Sequence, residues 1–307
     1  MKRWMVLGVL ALVGALSLTA TTYTQDENVV EVEQLEDNLY VLRGGGGNSA
    51  AFITENGVVL IDTKLAGWGQ PLMDAIAELT SNPVTTIINT HSHFDHVSGS
   101  VEFPATVDIV AHENAATLMG EWNGVTGLGD PPANVFETSG GQGMPTETYS
   151  STMYFGGDGA DRVELYYFGR GHTGGDTWVV FPALRVMHAG DMFPAKMLPI
   201  MDANNGGSGI DYAETLWKGY AAASQVDRII TGHSSVMTPD DLREYAAFVG
   251  DFETSVRAAR RDGRSVDDFA STWQVSPRYT GYARPPAGRL RAYTQVIFDE
   301  IAAESGS

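Results

Sequence analysis

No cysteine occurs in the 307 residues. The chain therefore has no disulfide, no thiolate metal ligand and no cysteine nucleophile. Any metal must be held by histidine, carboxylate, backbone or water. Positive charge is also scarce: 19 Lys and Arg stand against 38 Asp and Glu, a formal net charge of −19. Most of the basic residues are arginines. Such a surface repels phosphate backbones, so no nucleic-acid partner is expected. Long apolar runs are missing too, with one exception. Trp4 to Leu18 is apolar, follows Lys2 and Arg3, and leads into the small residues before Ala20. It is 15 residues long, short for a membrane span. Residues 1–22 read as a secretory signal peptide cut near Ala20, the alternative being an uncleaved anchor. The expected location is periplasmic or secreted, with no stable membrane association after cleavage. The lack of cysteine is compatible with that oxidising location.

With 43% hydrophobic residues the chain can bury a sizeable core. Residues 23–307 are expected to form one domain, with 262–307 a helical extension packed on it. Apolar alternation and turn signals give strands at 29–35, 39–43, 50–54 and 58–61, the last pair joined by Asn56-Gly57. A helix is expected over 70–79, with Pro71 in its first turn, and then a strand from Pro83 to the end of an apolar run at Ile88. Further strands are expected at 107–111, 163–168, 178–181, 184–188 and 228–231. Helices are expected at 114–119 and 210–223, and from Pro239 to Arg261 behind the cap Thr238. The segment 120–159 is dense in Gly and Pro and reads as a long loop bordering the active site. Trp122, Phe136, Met144 and Tyr149 could supply apolar contacts there. Gly44 to Gly47 lack the Lys-Ser/Thr context of a phosphate loop and read as a loop near the site.

The chemistry is concentrated where the strand before Asn89 ends. His91-Ser92-His93-Phe94-Asp95-His96 places three histidines and a carboxylate within six positions. In an extended segment His91, His93 and Asp95 share a parity, while His96 projects elsewhere. One metal could take His91 and His93, and a second Asp95 and His96. Imidazole plus carboxylate suits zinc best, with iron and manganese as rivals. His172 sits in a glycine-rich turn, Gly171-His172-Thr173-Gly174-Gly175, after another strand. The same order of strand, Gly and His returns at Gly232-His233. Asp62 and Asp191 each end a strand. His112 and His188 read as structural.

The hexapeptide is the His-x-His-x-Asp-His signature of the metallo-β-lactamase superfamily, which the chain resembles from about Asn38 to Asp241. The resemblance implies an α/β fold, a four-layer αββα sandwich. It implies two Zn2+ ions, the first held by His91, His93 and His172 and the second by Asp95, His96 and His233, with Asp191 bridging. It also implies that Asp62 supports the ligands from behind and that Asp95 orients the nucleophile. The implied activity is hydrolysis by a metal-activated hydroxide of a β-lactam or related cyclic amide or ester, a small-molecule substrate. Asp191 stands where the best-known β-lactamase branch has Cys, and so resembles lactonase-like and glyoxalase-II-like members. A lactonase or thioesterase is therefore the alternative. A non-haem iron oxidoreductase of the same fold is a further rival, and a non-catalytic metal-binding protein another.

Overall fold

Strands whose odd and even residues are both apolar must be covered on both faces. The second to fifth strands have that pattern, and the computed structural model, which describes residues 28–306, covers them so. The first sheet has seven strands in sequence order: β1 (Glu31–Glu36), β2 (Leu39–Arg43), β3 (Ser49–Thr54), β4 (Gly57–Ile61), β5 (Val84–Ile88), β6 (Asp108–His112) and β7 (Glu147–Tyr149). The second sheet runs β12 (Arg228–Ile230), β11 (Val186–His188), β10 (Trp178–Phe181), β9 (Val163–Tyr166) and β8 (Thr152–Phe155). Among the described residues eight α-helices accompany them: α1 (Gly69–Leu79), α2 (Phe94–Val97), α3 (Glu113–Glu121), α4 (Val135–Thr138), α5 (Tyr212–Ala222), α6 (Pro239–Arg261), α7 (Val266–Thr272) and α8 (Ala287–Gly306).

The layers follow from parity. Leu39, Val41, Ala50, Phe52, Ile61 and Ile88 face the second sheet and pack on Val163, Leu165, Val179, Phe181, Val186 and Ile230. The alternate residues Leu42, Ala51, Leu60 and Ile87 pack on Leu72 and Ile76 of α1. On the far side, Trp178, Val180, Met187 and Ile229 are covered by α5 to α8. This is the expected αββα sandwich. Leu290, Tyr293 and Ile297 of α8 are buried in that outer layer. Among the described residues no helix is long and apolar enough to cross a membrane. The signal-peptide expectation falls on residues outside those described.

Strand direction positions the site. β4, β5 and β6 are mutually parallel, and so are β11 and β12. β9 and β11 are each antiparallel to β10, so they run the same way. The segments carrying Asp62, His91 to His96, His172, Asp191 and His233 thus all leave the carboxyl ends of strands.

Two expectations need correction. Residues 120–159 are not one long loop, since they hold α4, β7 and β8. Trp122, Phe136 and Met144 pack on Val97 and Met119, and Tyr149 enters the core between the sheets. The stretch does border the site, but through Val125 and Leu128. Second, the parity argument fails beyond His93. His93 caps α2, so Asp95 and His96 are set by a helical turn rather than by an extended chain.

His188 is fully buried, as a structural histidine. Its Nε2 donates to Asn48 O at 3.1 Å, and its Nδ1 accepts from Gly190 N at 3.1 Å. Burial lowers its pKa to about 4. The unfolded chain then binds a proton near pH 6.5 that the folded chain refuses, so stability is present above that pH and is lost toward pH 4. In urea titrations of chelator-treated protein, this group alone should remove up to about 3 kcal/mol across that window. His188→Gln, which keeps a donor for Asn48 but cannot titrate, should show a shallower pH slope. An identical slope would rule His188 out as the acid-sensitive group.

Candidate metal centre

The carboxyl ends of β4, β5, β9, β11 and β12 bring all the expected site residues together. Donor atoms of His91, His93, His172 and Asp191 lie within 4.8 Å of one another, and so do those of Asp95, His96 and His233. His93 Nδ1 is 3.0 Å from His172 Nε2, and His172 Nε2 is 3.7 Å from Asp191 Oδ2. In the other group, His233 Nε2 is 3.2 Å from His96 Nε2, 3.4 Å from Asp95 Oδ2 and 3.2 Å from Asp191 Oδ2. His96 Nε2 is 3.4 Å from Asp191 Oδ1. Two donors, each ~2.0–2.1 Å from a tetrahedral zinc, must stand about 3.3 Å apart. The observed spacings match the edges of such polyhedra, and Asp191 belongs to both.

The unused atoms agree. Buried His91 Nε2 and Asp191 Oδ1 have no hydrogen-bond partner. A buried polar atom left so is costly unless something satisfies it. Burial lowers the pKa of His91 well below its usual value, and the neighbouring imidazoles add to this. Burial likewise lowers His172 to about 4. Both present neutral rings, the form that ligates. Burial alone would raise Asp191, but His233 and His96 hold it ionised, well below the usual carboxylate range.

The remaining ring nitrogens are fixed from behind. Asp62 Oδ2 is 2.7 Å from His96 Nδ1, and the same carboxylate accepts from Thr90 N at 2.7 Å and Thr90 Oγ1 at 2.6 Å. Asp62 also lies near His91, but its oxygens are engaged by these partners, which suits support better than ligation. His172 Nδ1 donates to Ile200 O at 3.0 Å. Asp202 escaped the sequence reading. Its Oδ2 is 2.7 Å from His93 Nε2, and its Oδ1 accepts from Thr126 N and Oγ1 at 2.9 and 2.8 Å. Burial would raise its pKa, but His93 and the other donors hold it at about 2. An isolated Asp in a turn-rich loop, distant in sequence from His93, gave no local signal.

Glycine is required where backbone meets ligand. A Cβ on Gly47 would overlap the His96 ring, and one on Gly232 would overlap the Asp191 carboxylate. The four-glycine run is thus a close-approach segment beside the site. Lys64 was also unforeseen. Its ammonium is fully buried and donates to Leu42 O at 2.8 Å and Gly47 O at 2.6 Å. Burial lowers its pKa to about 7 against the pull of Asp62.

His93, Asp95, Asp191 and His233 form part of the wall of a cavity of about 470 Å³. The model of the metallo-beta-lactamase superfamily matches residues 42–233. The chain is 28% identical over 193 residues to the metallo-beta-lactamase type 2 of Elizabethkingia meningoseptica, covering 59% of this chain and 69% of that protein. It is also 28% identical over 169 residues to the 2,4-dinitroanisole O-demethylase subunit alpha of a Nocardioides species, covering 54% of this chain but only 47% of that protein. Among solved structures, a metallo-beta-lactamase from Pontibacter korlensis superposes with a TM-score of 0.59 at 18% identity, over 72% of this chain and 99% of that one.

Asp62→Asn and Asp202→Asn should each weaken zinc binding by about 10- to 100-fold, the usual cost of losing such a carboxylate behind a ligating histidine. Competition against a chromophoric chelator measures this. Wild-type affinity in either variant would remove that carboxylate from the site.

Proposed function

The chain belongs to the metallo-β-lactamase superfamily, and from that membership we propose an exported hydrolase that uses two zinc ions to open a β-lactam or related cyclic amide or ester. One observation carries the reading: two groups of donors at ligand spacing that share Asp191. His91, His93 and His172 would hold one ion and Asp95, His96 and His233 the other, with Asp191 reaching both. Zinc there supplies a Lewis acid and brings the pKa of water down to about 7, against 15.7 in bulk. Iron or manganese would fit the same nitrogen and oxygen donors less well.

The chain's own groups do the rest. Asp95 is the most open carboxylate of the site, about a quarter exposed, and faces the cavity. There it orients the incoming water and takes its proton. Leu65, Phe94, Val125 and Leu128 give the cavity apolar walls that exclude bulk water and hold the acyl portion of a substrate. Asp62 and Asp202 keep His96 and His93 turned toward the donors they face.

The 28%-identical type 2 enzyme supports the β-lactam reading. A second reading, a lactonase or thioesterase, is favoured by Asp191, whose oxygens lie 3.4 Å from His96 Nε2 and 3.2 Å from His233 Nε2. Export rests on residues 1–22 and places the activity in the periplasm or outside.

Zinc-loaded protein should turn over a chromogenic cephalosporin or a chromogenic lactone, and a chelator should abolish it. Asp95→Ala should lower turnover by about 10²- to 10⁴-fold, the range for losing a positioned acid–base group. Protein that retains two zinc ions yet cleaves neither substrate would sink the hydrolase reading and favour a binding role.

A further inference from the structure

We propose that Arg289, on the C-terminal helix, is an anion-binding residue for the substrate, so that the substrate is an apolar molecule carrying a carboxylate. This rests on the hydrolase reading for the word substrate, but the anion site itself does not. Arg289 lines the cavity that His93, Asp95, Asp191 and His233 also line. Most of the remaining wall is apolar. Among the described residues, Arg289 is the only Lys or Arg with no ion pair, hydrogen bond or ring contact. That matters in a chain with 38 acidic residues and 19 basic ones. Where carboxylates outnumber cations two to one, a guanidinium without a partner is the exception. This one stands at an apolar cavity, half-buried.

The helix fixes its position. Leu290, Tyr293 and Ile297 are buried, and Glu300 accepts from Gly209 N at 2.8 Å and Ile210 N at 3.2 Å. A Cβ on Gly127 would sit 3.1 Å from Ala292 Cβ, so α8 also presses on the loop that supplies Val125 and Leu128. The guanidinium is always charged and offers a planar fork that matches a carboxylate in two parallel hydrogen bonds. The carboxylates and imidazoles of the metal centre and the guanidinium of Arg289 line the same cavity. A ligand with an ester or amide at one end and a carboxylate at the other would meet complementary groups at both. α8 lies outside residues 42–233, the part matched to the superfamily.

The test uses zinc-loaded protein and pairs of probes that differ only in charge. Calorimetry compares 4-phenylbutyrate with 4-phenylbutyramide. Kinetics compare the mono-4-nitrophenyl ester of adipate with 4-nitrophenyl hexanoate. Wild type should favour the carboxylate in Kd and in KM by about tenfold, with similar kcat. Arg289→Gln should bind and cleave the members of each pair alike, and Arg289→Lys should recover part of the preference. Equal preference in wild type and Arg289→Gln, or failure of wild type to bind 4-phenylbutyrate, overturns the inference, whether or not the esters are cleaved. Charge-selective binding lost in Arg289→Gln, with no ester cleaved, leaves the anion site standing and removes the hydrolase reading. A thermal melt of each variant within a few degrees of wild type, as expected for a half-buried side chain, shows that fold loss is not the cause.

Discussion

The Asp62 carboxylate is the fixed point on which the site depends. It is fully buried at the end of β4, with φ of +57°, a backbone conformation uncommon for any residue but glycine. Its oxygens take Thr90 N and Thr90 Oγ1, just before the metal loop, and His96 Nδ1 at the loop's end. One side chain therefore sets both ends of the hexapeptide. A buried carboxylate is tolerable only when its charge is answered by hydrogen bonds and nearby cations. Three hydrogen-bond partners answer it here, together with the buried Lys64 ammonium, whose charge acts on the same carboxylate. Lys64 passes the constraint on by holding the Gly47 carbonyl, beside His96.

The same logic orders the second half of the site. Asn48 donates to Thr231 O at 2.8 Å and Ser234 O at 2.7 Å, bracketing His233. His188 in turn donates to Asn48 O. Polar contacts thus cross from the first sheet to the second around the donors. The inter-sheet core, by contrast, is apolar, and its burial energy is non-directional. Hydrophobic packing brings the sheets together, and this polar girdle fixes their register at the end where the chemistry sits.

What could be read in advance was whatever lies close in sequence. The hexapeptide, and the order of strand, Gly and His around His172 and His233, show themselves within a few residues. The αββα layering came with the family resemblance, and the apolar residues on both faces of β2 to β5 account for it physically. What stayed hidden is spatial. Asp202 meets His93 across 109 positions, and Lys64 is unusual only because of where β4 delivers it. The parity reading of Asp95 failed because His93 begins a helical turn, which no strand periodicity foretells. Residues 120–159 misled in the other direction. Their glycines and prolines mark turns between α4, β7 and β8, and only Val125 and Leu128 reach the cavity.

The two scales of electrostatics in this protein act in opposite senses. A net charge of −19 repels an anionic substrate at long range. That repulsion is screened over about 8 Å at physiological salt, because the surface acids face water. Inside the cavity the walls are apolar and the distances are contact distances, so neither water nor salt screens as well. Global charge therefore governs how often an anion arrives, whereas Arg289 and the metal centre govern whether it stays. The metal-binding donors lie in the strand-end loops, and the proposed selectivity lies in α8 and the walls it braces. These parts come from different stretches of the chain, so substrate preference can change without disturbing the donors that Asp62 and Asp202 hold in place.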